Sequence, residues 1–183
     1  TKLVKELTVA VFANDGTRVP PTGILRVEDG DGELLEEFEQ QETRALDPQI
    51  ARTVSDILSD NVARTPLYGA NSPLHFPGLD VAAKTGTTND NRDAWVIGYS
   101  SSLVAGAWAG NNTPTPMTQI SGLIVTPMWR QFMDVALEKY PGGDFAPPAP
   151  DPERDSLPAV LRGNWNTNPS QGVHEILYWV NKD

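Results

Sequence analysis

Lys84-Thr85-Gly86-Thr87 places one cation, two hydroxyls and a residue without a side chain on four consecutive positions. An apolar run, Leu79 to Ala83, leads into the tetrad, and Asn89-Asp90-Asn91 closes it with a turn signal. The tetrad therefore reads as a strand. Its alternation puts Lys84 and Gly86 on one face and Thr85 and Thr87 on the other. On an edge strand, a missing side chain lets a second backbone approach closely. An extended peptide then pairs with the strand, as in strand addition. Hydroxyls donate to a carboxylate and the ammonium supplies a positive field. A backbone N–H just past the glycine points at a developing oxyanion. These residues suit a peptide that ends in a carboxylate.

Two other chemistries compete for attention. Gly78, four residues, then Ala83-Lys84-Thr85 comes within one residue of the phosphate-binding pattern G-x-x-x-x-G-K-[ST]. Ala83 replaces the glycine that lets a backbone wrap phosphates, and the segment ends in a turn where that pattern opens a helix. His75 and His174 are the two histidines, and there is no cysteine. That excludes disulfides, zinc ribbons and thiol catalysis, and no metal site or other cofactor is expected. His75, between Leu74 and Phe76, reads as a packing residue. Arg92 and Asp93 leave the turn together and read as a charge pair or turn lock.

The elements that must position the tetrad follow from pattern. Residues 2–13 read as a helix with Leu3, Leu7 and Val11 on one stripe, stopped by Asn14-Asp15-Gly16. Thr22 to Val27 and Glu33 to Phe38 read as strands around Asp29-Gly30-Asp31-Gly32. Asp47-Pro48 caps and starts a helix whose buried face is Ile50, Val54, Ile57 and Leu58. Residues 65–79 read as a loop, rich in Pro and Gly. Ala94 to Tyr99 and Leu103 to Ala109, joined by three serines, read as an antiparallel meander with the tetrad. Trp95, Tyr99 and Trp108 fit sheet packing. Thr126-Pro127 starts a last helix, with Met128, Phe132, Ala136 and Tyr140 on a core stripe beside Trp129, Met133 and Leu137. Residues 141–158 hold 6 of the 16 prolines and read as an extended linker. Residues 159–183 form a tail with one strand, Val173 to Val180.

The 183 residues are 39% hydrophobic and carry a formal charge of −10, enough apolar material for a core. Eight carboxylates and no Lys or Arg lie between Glu28 and Glu42. The acidity is therefore mostly one hairpin, and it argues against a nucleic-acid partner. No apolar run approaches the roughly 18 residues of a membrane span. The expected class is α+β, an antiparallel sheet over residues 79–110 covered by the 47–60 and 127–140 helices. The acidic hairpin stands apart and the Pro-rich tail follows.

Residues Val9 to Met133 resemble the C-terminal half of the transpeptidase domain of class A penicillin-binding proteins. The resemblance rests on "VFANDG" (11–16), "PTGILRVED" (21–29), "DPQIARTVSDILSDN" (47–61), "VAAKTGTTNDNRDAWVIGYS" (81–100), "AGAWAGNN" (105–112) and "PMWRQFM" (127–133). It implies a partial transpeptidase fold at 1–140, ahead of the 141–158 linker and the tail. It also implies an acyl-serine enzyme that cross-links peptidoglycan. Its partners would be stem peptides ending in D-Ala-D-Ala and the β-lactams that imitate them. Its site would lie in the bacterial cell envelope, outside the cytoplasmic membrane. Three motifs line such a cleft: S-x-x-K, S-x-N and K-[ST]-G. On the third, Lys84 would hold the substrate carboxylate and polarise the proton relay. Thr85 and Thr87 would bind that carboxylate, and Gly86 would admit the substrate. The Thr87 N–H would be half of the oxyanion hole.

The first motif is not in the sequence. Ser55, Ser59 and Ser72 are followed at +3 by Leu58, Val62 and His75. Ser59-Asp60-Asn61 matches S-x-N in letters but directly follows a helix, and reads as its terminus. The first residue is Thr1, so the expectation is a piece that begins downstream of its own nucleophile and is inert without the missing N-terminal half. The alternative is a non-catalytic peptide- or glycan-binding module on the same fold.

Overall fold

The tetrad lies on β5 (Ala82–Thr87), at the edge of a three-stranded antiparallel sheet ordered β5-β6-β7, with β6 at Asp93–Tyr99 and β7 at Val104–Gly110. The computed structural model describes the backbone of residues 2–113, 115–118, 121–150, 152, 153 and 156, with side chains from Thr8 onward. The expected tail strand, Val173 to Val180, and His174 lie outside the described residues, as do the side chains of Leu3 and Leu7. Residues 1–148 form one compact unit, described below, and 149–183 a second. The α+β class and the meander agree with the sequence.

Alternation along β6 sorts the sheet into two faces. Ala94, Val96 and Gly98 are buried, whereas Asp93, Trp95 and Ile97 are half-buried. The register Thr85↔Val96↔Ala107 and Lys84↔Ile97↔Gly106 carries that division across all three strands. The buried face takes α4 (Thr126–Lys139) and the 3-10 turn Gly122–Val125 before it. Trp129 is 1% exposed, and its indole N–H donates to the Ala105 carbonyl at 3.0 Å. Phe76 meets its ring edge-on at 5.7 Å, and the Arg130 guanidinium covers the far side of Phe76 at 4.0 Å. Trp129, Met133 and Leu137 are the core stripe of α4. Met128 and Phe132, expected on it, are each 56% exposed, a rotation of the helix by about one residue. The largest side chain decides the face, because it alone fills the notch over Gly98.

α1 (Lys2–Ala13) and α2 (Pro48–Ser59) lie toward the other face. Asp47 caps α2, its carboxylate accepting from the Gln49 N–H at 2.8 Å. The buried residues of α2 are Ala51 and Ser55, with Ile50 and Ile57 exposed, which corrects the expected face. Small residues let the helix come close enough for the Ser55 hydroxyl to meet the Tyr99 phenol at 3.0 Å. Burial pushes the Tyr99 phenol pKa up, and the bond from Ser55 opposes it.

Residues 65–68 are helical, not loop: α3 (Asn61–Tyr68) follows α2 at once. Asp60 ends one helix and caps the next, accepting from Val62 and Ala63 N–H at 2.8 and 2.9 Å. Two short ribbons complete the unit: β1 (Thr17–Arg18) with β4 (Thr43–Arg44), which the sequence reading missed, and the acidic hairpin. The hairpin pairs β2 (Arg26–Glu28) with β3 (Leu34–Glu37) in a sheet of its own. The Asp29 carboxylate holds its turn, accepting from Asp31 and Glu33 N–H at 2.9 Å each. Among the described residues no helix or strand follows α4, yet the Gly143 N–H donates to the Ser101 hydroxyl at 2.7 Å.

Two outcomes follow. A Cβ at Gly98 would stand 2.4 Å from Trp129 Cζ2 and 2.7 Å from the Ala82 carbonyl oxygen. Gly98→Ala is expected to destabilise the unit by about 1–3 kcal/mol, read as a lower urea midpoint. Second, Arg52 grips Asp15 through two bonds of 2.8 and 2.7 Å. The Arg52 hydrogen bond holds the Asp15 carboxyl below its ordinary value, against a smaller opposing effect of burial. A lowered folded pKa stabilises above the unfolded value, about 3.9, and that stabilisation is lost as pH falls through the folded pKa. Arg52→Met is expected to lower the urea midpoint at pH 7, with the difference from wild type shrinking below pH ~3.9.

Candidate functional site

Among the described residues β5 has β6 on one side and no strand on the other. The Thr88 N–H bonds the Asp93 carbonyl at 3.0 Å, which marks Thr88 and Asp93 as a bonded pair of the ladder. Bonded and non-bonded pairs alternate along an antiparallel ribbon. Counted back from that pair, Gly86 and Lys84 turn their main-chain groups toward β6. Thr85 and Thr87 turn theirs to the open edge. The N–H expected to face an oxyanion is thus one that β6 does not use.

The side chains divide as the alternation requires. Lys84 and Gly86 share a face with Trp95. A Cβ at Gly86 would meet only Trp95 Cβ, at 3.6 Å, an ordinary contact. Above that glycine lies a cavity of about 390 Å³, walled by Val9 and Phe12 of α1, Leu58 of α2, Trp95 and Ile97, with Lys84, Thr85 and Thr87 of the strand at its margin. The Lys84 ammonium is exposed and donates to the Thr85 carbonyl at 2.6 Å. On the opposite face the two threonines are engaged. The Thr85 hydroxyl lies 2.7 Å from the Tyr68 phenol, and the Thr87 hydroxyl accepts from the Gly122 N–H at 2.7 Å. The arrangement is a cationic, hydroxyl-bearing strand edge beside an apolar concavity.

Asp93 fixes the turn that ends the strand. One carboxylate oxygen accepts from the Trp108 indole at 2.8 Å and the other from the Thr88 hydroxyl at 3.1 Å. Asp93 is therefore the turn lock, and Arg92 pairs instead with Asp90 at 3.2 Å. Ser59-Asp60-Asn61 is used locally: Ser59 bonds the Asp56 carbonyl, Asp60 caps α3 and Asn61 bonds the Ala70 carbonyl. His75 sits half-buried between buried Leu74 and Phe76, its carbonyl accepting from Arg130. Ala83 and Lys84 lie within β5 and do not open a helix, against the phosphate-loop reading. Sequence reasoning missed Tyr68, Gly122 and the apolar wall of the cavity. Spacing carries no signal for a wall assembled from three separate elements.

Residues 7–133 match the penicillin binding protein transpeptidase domain. The chain is 34% identical over 140 residues to penicillin-binding protein 1A of Neisseria lactamica, covering 73% of this chain and 17% of that protein. It thus spans under a fifth of that relative's length. Among solved structures, the penicillin-binding protein PonA1 of Mycobacterium tuberculosis superposes with a TM-score of 0.68 at 25% identity, over 79% of this chain and 41% of that one. The imipenem acyl-enzyme of penicillin-binding protein A from the same organism gives 0.56 at 22%, over 74% and 31%.

Asp93→Ala removes the acceptor of two donors at once. The expected cost is about 1–3 kcal/mol in urea unfolding, with tryptophan emission changed as the Trp108 indole loses its partner.

Proposed function

The chain belongs to the penicillin-binding protein transpeptidase family, and from that premise we propose that it supplies the K-T-G wall of a peptidoglycan D,D-transpeptidase. The observation that carries the proposal is the open face over Gly86. No contact tighter than 3.6 Å calls for a glycine there, and the cavity above it lies beside Lys84. A stem peptide ending in D-Ala-D-Ala would lie along the free edge of β5. Its carboxylate would meet the Thr85 and Thr87 hydroxyls in the field of Lys84.

The reaction needs a nucleophile from an S-x-x-K motif, and these 183 residues contain none. That serine would attack the penultimate carbonyl, forming an ester as the peptide bond to the last D-Ala breaks. The Thr87 N–H, aimed at the open edge, would stabilise the oxyanion together with the nucleophile's own N–H. An acceptor amine would then attack the ester, form the cross-link and release the serine. β-Lactams would enter as donor mimics and stop at the ester. Lys84 would also polarise the proton relay. The protein would work at the outer side of the cytoplasmic membrane. Among the described residues no helix is long and apolar enough to cross one. We carry the division into 1–140, a 141–158 linker and a 159–183 tail as part of the same proposal.

A fluorescent penicillin tests the reading. The isolated chain is expected to take no stable covalent label, and stable labelling would show that one of its own serines is the nucleophile. In the full-length gene product, Gly86→Ala is expected to slow labelling at least tenfold while stability in urea is unchanged or raised by up to about 1 kcal/mol, alanine being the better strand residue. Unchanged labelling in Gly86→Ala would sink the assignment of this face to the substrate.

A further inference from the structure

Each threonine hydroxyl of the strand already has one partner. A hydroxyl carries one proton and two acceptor positions. The Gly122 N–H, at 2.7 Å from Thr87 Oγ1, has only a proton to give. Thr87 must accept there, and its own proton is left to point elsewhere. The Tyr68 phenol stands in the same relation to Thr85, at 2.7 Å. Either oxygen of this pair could donate; a phenol is a far stronger acid than an aliphatic alcohol, and we assign the phenol as the donor and Thr85 as the acceptor.

We propose that Tyr68 and Gly122 are a matched pair of positioning residues that turn Thr85 and Thr87 into donors for an anionic ligand at the edge of β5. The proposal rests on the reading of Thr85 and Thr87 as carboxylate-binding residues and adds what sets their protons. An isolated hydroxyl rotates, and it meets a carboxylate as a donor only in part of that rotation. Filling its acceptor side from the protein removes the wrong orientations before the ligand arrives. It also polarises the O–H that remains.

Two features of the fold give the pair its place. Tyr68 ends α3, a helix held by the Asp60 cap, and its ring packs on the core that holds Trp129. Gly122 opens the 3-10 turn that leads into α4. A Cβ there would stand 2.8 Å from the Gly86 carbonyl oxygen and 3.1 Å from Thr85 Cβ. Only a glycine lets that turn settle close enough for its N–H to reach Thr87. The two groups thus reach the strand from separate elements, α3 and the turn before α4.

The test compares benzylpenicillin, which carries a carboxylate, with its methyl ester, which does not, in acylation of the full-length gene product. Tyr68→Phe removes one oxygen and keeps the ring. It is expected to lower the rate with the acid about tenfold, leave the ester rate unchanged, and add nothing in a Thr85→Val background. If Tyr68→Phe lowers both rates equally, or neither, while Thr85→Val abolishes the preference for the acid, the positioning role is overturned and the carboxylate reading stands. If Thr85→Val and Thr87→Val both keep the preference, the carboxylate reading fails, and this proposal with it. For the second hydroxyl, Thr87→Ser is expected to retain the preference that Thr87→Val loses. This contrast does not require disturbing Gly122. Urea midpoints of the variants separate lost binding from lost folding.

Discussion

The Trp129 indole seated over Gly98 is the contact on which the sheet's orientation depends. A side chain at 98 would run into the indole and into the carbonyl of Ala82 on the neighbouring strand. The sheet and α4 therefore meet closely at one point, with an indole hydrogen bond to Ala105 to fix the angle. Once α4 is seated there, the 3-10 turn before it must cross the sheet near β5. Gly122 permits that crossing over the Gly86 backbone. On the threonine side of β5 this layer meets both hydroxyl-bearing residues, leaving Thr85 half-buried and Thr87 exposed. The lysine face is left to α1, α2 and the cavity between them.

That division gives one strand two separable tasks. The residues facing the core layer are held, each hydroxyl by a partner from another element. The residues facing the cavity are open, with Lys84 exposed and Gly86 bare. A strand with both faces packed would offer an incoming chain nothing but its edge. A strand with both faces open would hold neither hydroxyl in place. The turn after Thr87 completes the arrangement, because Asp93 ties Thr88 and Trp108 together where the strand ends.

Much of this was legible in the sequence. The two-residue period assigned the faces of β5 correctly, and Asp47-Pro48 and Thr126-Pro127 marked helix starts that the structure has. What failed were faces decided by close packing. Periodicity favours large apolar residues, so it put Ile50 and Ile57 of α2 inside, where Ala51 and Ser55 allow the approach that a phenol bond requires. On α4 it placed Met128 and Phe132 in the core, although only the indole fits the notch at Gly98. α3 was hidden by Pro66 and Gly69. Pro66 lies in the second turn, and the helix forms around it with two N–H groups of its first turn capped by Asp60. The site was half legible for the same reason. Lys84, Thr85, Gly86 and Thr87 are contiguous, whereas Tyr68 and Gly122 meet them only through the fold.

The glycines of this region separate structure from chemistry. At Gly98 and Gly122 a Cβ would stand within 3 Å of rigid neighbours, so packing alone explains both residues. At Gly86 the nearest obstacle is Trp95 Cβ at 3.6 Å, a distance that alanine accepts in any sheet. Glycine in a strand interior is destabilising relative to alanine by roughly 0.5–1 kcal/mol. A residue that costs stability and relieves no clash within the described unit serves something outside it. Its bare face looks into the cavity beside the only lysine of the strand. On the proposed reading, the missing side chain at Gly86 leaves room for a second backbone running along the edge of β5.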